Sequence, residues 1–430
     1  MRAGAPSWAC AAALGALAVS ATPAFAQRYT GGERLITNNE PTIEDRFADV
    51  ARAPTGMRIG GFMLRTFASQ EIGYDDNVFS NLNKRDSFVY TTAGGGTAAS
   101  DWKRHQVYAS GYAAYLGVTE FPQEDAWVGN ASTGGYVDVT RDIRFGLDAT
   151  AARQLDIRGD PDSINAADGS VTYQRYRLEP WLTAQTGRFF HIVAVQGETT
   201  NYPNATANNG ATINLAAKEY EQVSAGYRLG YRYISYDDPS EVFVRFVSQD
   251  RNSTNDAGIP NENFTVMGVA AGVTGRITPV IAGLASFGIQ HVTNDNPVIS
   301  SADVPTFDLR LRWEPTRTLR FDGGVSREFA SSIVTAFQAG SPGYVRTVYA
   351  LRATTEIREG FVGNIGGSFI NRNYIDTDRD EEVWGVDVGL NYALGNGFIA
   401  SANWLWRNQT QNGALTANKN LVLARISKNF

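Results

Sequence analysis

The chain has 430 residues, 43% of them hydrophobic and 19% charged, with 43 glycines and one cysteine. That apolar share excludes wholesale disorder, and the one long apolar run, at the very start, is too isolated to make a helical membrane protein. With 38 basic against 44 acidic residues the net charge is -6, the wrong sign for a nucleic-acid binder.

The chain opens with a targeting segment. Met1 and Arg2 precede a small-residue apolar stretch from Ala9 to Val19, and Ala24-Phe25-Ala26 forms an A-x-A site. Residues 1–26 therefore read as a secretory signal peptide cleaved before Gln27. Cys10 leaves with it. Removing the first 26 residues leaves 404, with no cysteine and, Arg2 being gone, a net charge of -7. An exported chain without cysteine has no disulfides to lean on, and thiol catalysis, zinc fingers and iron–sulfur clusters are excluded with them.

Residues 27–56 are not strand-like and form an N-terminal periplasmic segment. Thr42 is a plausible helix cap with Asp45 three positions on, and Ile43, Phe47 and Val50 share one helical face. This predicts a short helix over residues 42–51. It would serve as a plug or as a dock for a periplasmic partner; a disordered leader is the alternative.

From residue 57 to 430 one pattern repeats. Segments of about twelve residues alternate apolar and polar, the period-two signature of a strand with two unlike faces. In the stretch Phe307–Glu314, one face carries Phe307, Leu309, Leu311 and Trp313, and the other Asp308, Arg310, Arg312 and Glu314. Val223, Ala225, Tyr227, Leu229, Tyr231 and Tyr233 alternate in the same way, as do Trp384, Val386, Val388, Leu390 and Tyr392. Short connections at Asp101–Arg104, Arg141-Asp142, Thr186-Gly187, Pro315-Thr316, Arg358-Glu359 and Gly395-Asn396 interleave with long polar ones. The long ones are Asp75–Asp86, Asp156–Val171, Asn201–Lys218, Asn252–Pro260, Asn294–Ser301, Ser331–Pro342, Asp376–Glu381 and Gln411–Asn418. Together these predict an all-β fold: a transmembrane antiparallel up-and-down β-barrel of about 18 strands. A soluble propeller or sandwich is the rival. Against it stand the persistent apolar face and the aromatics at strand ends, Trp127, Trp181, Phe189, Phe190, Trp313, Trp384, Trp404 and Trp406, which suit two interfacial girdles. Phe430 ends the chain, with Ile426, Ala424 and Val422 on its face and Lys428 placed to snorkel. The final aromatic is the residue expected to matter for barrel assembly. A mean hydropathy of -0.26 looks soluble only because half of each strand faces away from lipid.

The inward face is expected to carry many arginines, among them Arg175, Arg177, Arg228, Arg232, Arg310, Arg312, Arg346 and Arg352. They would either brace the wall in cross-strand ion pairs or line a path for an anionic solute. The acidic run Asp376–Glu382 matches the start of a calcium loop, but Glu381 stands where the turn needs glycine, so a solvated loop is favoured. Gly94-Gly95-Gly96 precedes no helix and reads as room for close packing. No nucleophile elbow, zinc-protease motif or phosphate loop occurs. His105, His191 and His291 fall in separate hairpins. No catalytic residue, cofactor site or metal site is assigned.

Gly73-Tyr74-Asp75-Asp76-Asn77-Val78-Phe79 sits where a first strand meets its first long loop. With the signal peptide before it and the terminal Phe430 after the last strand, the layout resembles the putative β-barrel porin 2 family, outer-membrane barrels often linked to exopolysaccharide secretion. The resemblance implies a passive path for a polysaccharide. The rivals are a general diffusion porin for small polar solutes and a barrel enzyme or adhesin. Expected surroundings are outer-membrane lipid and lipopolysaccharide of a Gram-negative bacterium, the barrel-assembly machinery and a periplasmic polysaccharide-export partner, with no nucleic acid.

Overall fold

Lipid offers no hydrogen bonds, so a spanning sheet must pair every backbone group within itself. The computed structural model does this with a closed wall. It describes residues 42–51, 56–160, 163, 167–207, 209–234, 240–254, 263–297, 300–331 and 343–430. The signal peptide and residues 27–41 lie outside the described residues. In chain order the wall strands are β1 (Phe62–Asp75), β2 (Ser87–Ser100), β3 (Gln106–Val118), β4 (Ala126–Asp138), β5 (Ile143–Leu155), β6 (Thr172–Thr186), β7 (Phe189–Asn201), β8 (Tyr220–Arg232) and β9 (Glu241–Ser253). They continue with β10 (Phe264–Thr278), β11 (Ile281–Asn294), β12 (Ala302–Thr316), β13 (Leu319–Ser331), β14 (Gly343–Arg358), β15 (Phe361–Tyr374), β16 (Asp380–Gly395), β17 (Phe398–Gln411) and β18 (Ala414–Asn429). Each pairs antiparallel with its chain neighbours. β18 returns to β1, from Phe67↔Asn429 to Asp75↔Leu421, so the 18-stranded barrel has no free edge at its seam.

The burial pattern inverts that of a soluble protein. Large apolar side chains such as Ile72, Phe88 and Leu351 stand exposed on the outer face, while Gln196, Arg228 and Glu241 are buried inside. Leu311 and Trp313 point outward as their alternation predicts, and Asp308 and Arg310 point in. Trp181 and Phe190 depart from the expected girdle. Both share the inward parity of their strands, Trp181 bonding to Asp148 and Phe190 lying under two arginines. Alternation is indifferent to residue type, so a tryptophan near a strand end goes wherever its parity sends it.

Short turns close one end and longer loops the other. The short-turn end is periplasmic by the rule for this class. Most turns lie one or two residues beyond their expected places, because pairing runs further than alternation suggests. Asn396-Gly397, with φ of 52° and 82°, is the turn expected at Gly395-Asn396. The loop expected over Gln411–Asn418 is instead the two-residue turn Asn412-Gly413, with φ of 49° and 77°, and β18 begins at Ala414. Asn-Gly is the strongest hairpin signal because both positions accept positive φ.

The wall is uneven on one side. The ladder between β12 and β13 stops at Phe307↔Arg327. Beyond it the outer end of β13 turns into the lumen. There the Phe329 amide donates to Gln290 Oε1 at 3.0 Å, and the Phe329 ring packs 5.5 Å from that of Phe264. Arg251 donates to Ser331 Oγ at 2.5 Å from four strands away. A buried apolar cluster of Phe264, Val266, Val292 and Val304 receives this end. Above it, the Ser300 amide donates to Asp376 Oδ2 at 2.9 Å and ties the rim from β12 to β15.

Candidate functional site

The lumen is the candidate site, and strand parity builds it. All eight arginines named above lie on inward positions, and most have a carboxylate in reach. Arg175 and Arg177 meet Glu198 at 2.7 and 3.1 Å, and Tyr220 donates to the same carboxylate at 2.8 Å. Arg228 pairs with Glu241, both almost fully buried, with Phe243 stacked 4.0 Å from the guanidinium. Arg310 meets Asp308 at 2.9 Å, Arg312 meets Asp322 at 2.7 Å and Arg352 meets Asp387 at 3.0 Å. Arg346 lies 4.0 Å from Glu328. Arg232 donates to Gln185 at 3.4 Å and lies over Phe190. The low dielectric of a packed wall makes an unpartnered charge costly, which accounts for so many pairs.

The other side of the lumen is different. On β2–β5 the inward positions are mostly hydroxyl, amide, aromatic and small. Cross-strand register aligns Thr97, Ser110, Ser132 and Thr150 in one rung, with Ser132 and Thr150 hydroxyls 3.2 Å apart. The next rung outward carries Gly95, Tyr112, Asn130 and Ala152. Gly95 is required there: a Cβ would collide with the Gly111 carbonyl and the Phe67 ring. Towards the periplasm Tyr108 and Trp181 both donate to Asp148, Trp181 at 2.9 Å. The Trp181 indole covers Gly146 and has its centroid 6.4 Å from that of Tyr136. Arg144 and Asp138 pair at 2.7 Å at the periplasmic end of this face.

Each mouth carries a cover. At the periplasmic end sits helix α1 (Ile43–Ala51), capped by Thr42 and Asp45. The Asp45 amide donates to Thr42 Oγ1 at 3.2 Å and the Thr42 amide to Asp45 Oδ2 at 3.0 Å, a reciprocal cap. Glu44 takes both terminal nitrogens of inward-facing Arg320 at 2.8 and 2.6 Å, Arg46 meets Glu356 at 2.8 Å, and Ile43 and Ala51 are buried. Burial alone would raise the Glu44 carboxyl, but the hydrogen bonds and charge of Arg320 outweigh it and hold it below the usual carboxylate range.

At the outer end the family-like motif works as a clamp on the barrel seam. Gly73 lies against the Val422 carbonyl of β18, where no Cβ would fit. Tyr74 donates to Asp86 at 2.7 Å, and Asp75 meets Lys419 at 2.6 Å and accepts from the Asn77 amide at 3.0 Å. Asp76 accepts from the Asn420 amide at 2.6 Å and from Lys84 at 2.8 Å. Burial pushes its carboxyl up, but these bonds prevail and hold it low. Fully buried Asn77 donates to the carbonyls of Asn81 and Asn418 at 2.7 and 2.9 Å. The Val78 amide donates to the Arg85 carbonyl at 2.9 Å. Phe79 packs edge-on to Phe121, 5.0 Å away, beneath Arg85 and Arg158.

Arg158 grips Glu124 at 2.8 and 2.6 Å, and Asp160, two residues on, meets Arg407 of β17 at 2.8 Å. Lys218 meets Asp156 at 2.8 Å, and Ala167, Val171, Tyr202 and Leu215 form a small core beneath the two longest loops. Alternation carries no information about such loop contacts, so sequence reasoning missed Arg158, Glu124, Asp160 and Arg407.

The remaining singled-out residues are engaged elsewhere. His105 accepts from the Asp138 amide, His191 bonds to Tyr227, and His291 meets Asp303 on the outer face. In the acidic run, Arg372 and Arg379 meet Glu381. Phe430 donates its amide to the Thr66 carbonyl at 2.8 Å, with Lys428 5.0 Å from its ring.

A closed 18-stranded sheet, apolar outside and polar within, defines a porin-class barrel of the Gram-negative outer membrane. The model of the putative beta-barrel porin 2 family matches residues 51–424, and the chain belongs to that family. Among solved structures it is similar to OccAB4 of Acinetobacter baumannii at 11% identity and a TM-score of 0.47, over 85% of this chain and 98% of that one. OpdQ of Pseudomonas aeruginosa matches at 10% and 0.46, over 86% and 99%. The siderophore receptor PirA of Pseudomonas aeruginosa matches at 10% and 0.45, over 85% and 80%. No curated protein matches the chain.

Proposed function

We propose that this porin gives a polysaccharide a passive path across the outer membrane, with no catalytic step and with the driving force supplied elsewhere. The observation that carries this reading is the aromatic group inside the lumen. Trp181, Tyr136 and Tyr108 cluster on the inward face, Arg144 lies 3.9 Å from the Tyr136 ring, and Asp148 gathers the polar edges of two of these rings. A sugar ring has an apolar face and a hydroxyl edge, and amphipathic aromatics offer a partner for each. A polar lumen replaces bulk hydration along such a path. The helix α1 at the periplasmic mouth is the natural contact point for an export partner.

The test is a deletion strain complemented with the wild-type chain or with Trp181→Ala. Loss of extracellular polysaccharide, restored by the wild type and only weakly by Trp181→Ala, is expected. Unchanged polysaccharide with impaired uptake of small polar solutes would instead establish a diffusion porin.

A further inference from the structure

We infer that the solute path runs along the inward face of β2–β5 and selects an uncharged glycan over an acidic one. This rests on the polysaccharide reading and specifies its substrate class. Two independent observations support it, one of access and one of charge.

Access differs around the lumen. On β8–β11 the inward residues are largely sealed: Ser224, Arg228, Glu241, Thr274, Leu284 and Ser286 are at most 5% exposed. The inturned end of β13 and the ion pairs beside it cover that face. On β3–β5 the facing positions Ser110, Tyr112, Asn130, Ser132, Thr150 and Ala152 all remain partly open. The space a solute can enter therefore borders β2–β5, with the paired side chains of Arg310 and Arg352 also reaching it from β12 and β14.

Charge is distributed unevenly as well. Along the rung Thr97, Ser110, Ser132 and Thr150, the next residues are Arg177 and Glu198, already paired with each other. The open face has hydroxyls, an amide and aromatic rings for a chain of hydroxyl groups. The charged groups bordering it include Arg65 on β1 beside Thr97, buried Glu71 beside Thr91, the Arg144–Asp138 pair, Asp148 held by Tyr108 and Trp181 with buried Glu179 across from it, and Arg175 beside Ala152, paired with Glu198. An acidic polymer would need a succession of cations along its track. The arginines that could supply them lie mostly on other strands and mostly against carboxylates, Arg310 on Asp308 and Arg352 on Asp387 among them, and an ion pair already made offers little to a third charge.

Single cysteines test this, since the processed chain has no other thiol. Ser132→Cys and Thr150→Cys mark the open face, and Ser224→Cys and Ser286→Cys the sealed one. Each is folded in detergent micelles, checked by its heat-modifiable gel mobility, and treated with a small neutral methanethiosulfonate. At least tenfold faster modification is expected at 132 and 150 than at 224 and 286. A neutral gluco-oligosaccharide should slow modification at 132 severalfold, and an oligouronate of equal length should not. Equal rates on the two faces overturn the path. Protection by the uronate as strong as by the neutral sugar, or by neither, overturns the selectivity. Both results leave the polysaccharide reading to its own test, because that reading fails only if the deletion strain still secretes.

Discussion

Asp160 and Arg407 join 2.8 Å apart although five strands lie between β5 and β17 around the closed wall. The loop after β5 therefore cuts across the outer mouth as a chord and is latched to β17, a third of the way around the wall. Both side chains are partly exposed, and such pairs contribute about 0.2–1 kcal/mol. Arg407→Gln should raise the population of the unlatched loop by roughly 1.4- to fivefold. Single-channel recordings should show longer or more frequent openings. Asp160→Asn should give the same effect, and the double variant little more than either alone.

The periplasmic cover should loosen in acid. The Glu44 carboxyl lies below its ordinary value of about 4.3 in the docked helix. Its contribution is therefore complete above that value and lost as pH falls through the lower, docked one. A fluorophore on Asp49→Cys, on the exposed side of α1, should keep high anisotropy near neutrality and lose it in this acid window. Glu44→Gln should start lower and respond less.

The seam clamp should matter for stability. Asn77→Ala leaves the Asn81 and Asn418 carbonyls without their donor in a site where Asn77 is fully buried. Unsatisfied buried groups cost about 1–3 kcal/mol each. The urea midpoint of gel-shift unfolding should fall accordingly, with little change for Lys84→Ala at the exposed margin of the same clamp.

Arg228 should act on folding more than on selectivity. Arg228→Gln removes the guanidinium that pairs with buried Glu241, and breaking such a pair costs roughly 3–5 kcal/mol. Arg228→Gln with Glu241→Gln should recover much of that loss in the same urea assay. Reversal potentials across a salt gradient should differ little between the double variant and the wild type.

Depth should grade the cost of a charge on the outer wall. Leu309 lies deeper than Leu311, which is two residues from outward-facing Trp313. Leu309→Arg should cost up to ~2–4 kcal/mol and Leu311→Arg less. Equal costs would move the membrane boundary inferred from Trp313.

Alternation alone determined the barrel, the strand number and the facing of residues such as Leu311 and Arg310, because side-chain direction in a strand depends only on parity along the chain. Asn412-Gly413 was legible too, as a turn dipeptide set between alternating segments, although polar composition masked it as a loop. Parity also determined that Trp181 faces inward, against its place near a strand end. The tertiary structure decided what the inward residues meet. Arg175 and Arg177 share Glu198 only because register sets β6 and β7 side by side. Ser331 reaches Arg251 because the paired outer ends of β13 and β14 part from β12 and bend into the lumen, and Asp160 reaches Arg407 because its loop crosses the mouth. Those contacts join residues about 80 and 247 positions apart. Local sequence sets direction along a strand, but closing the sheet decides which distant residues share the enclosed space.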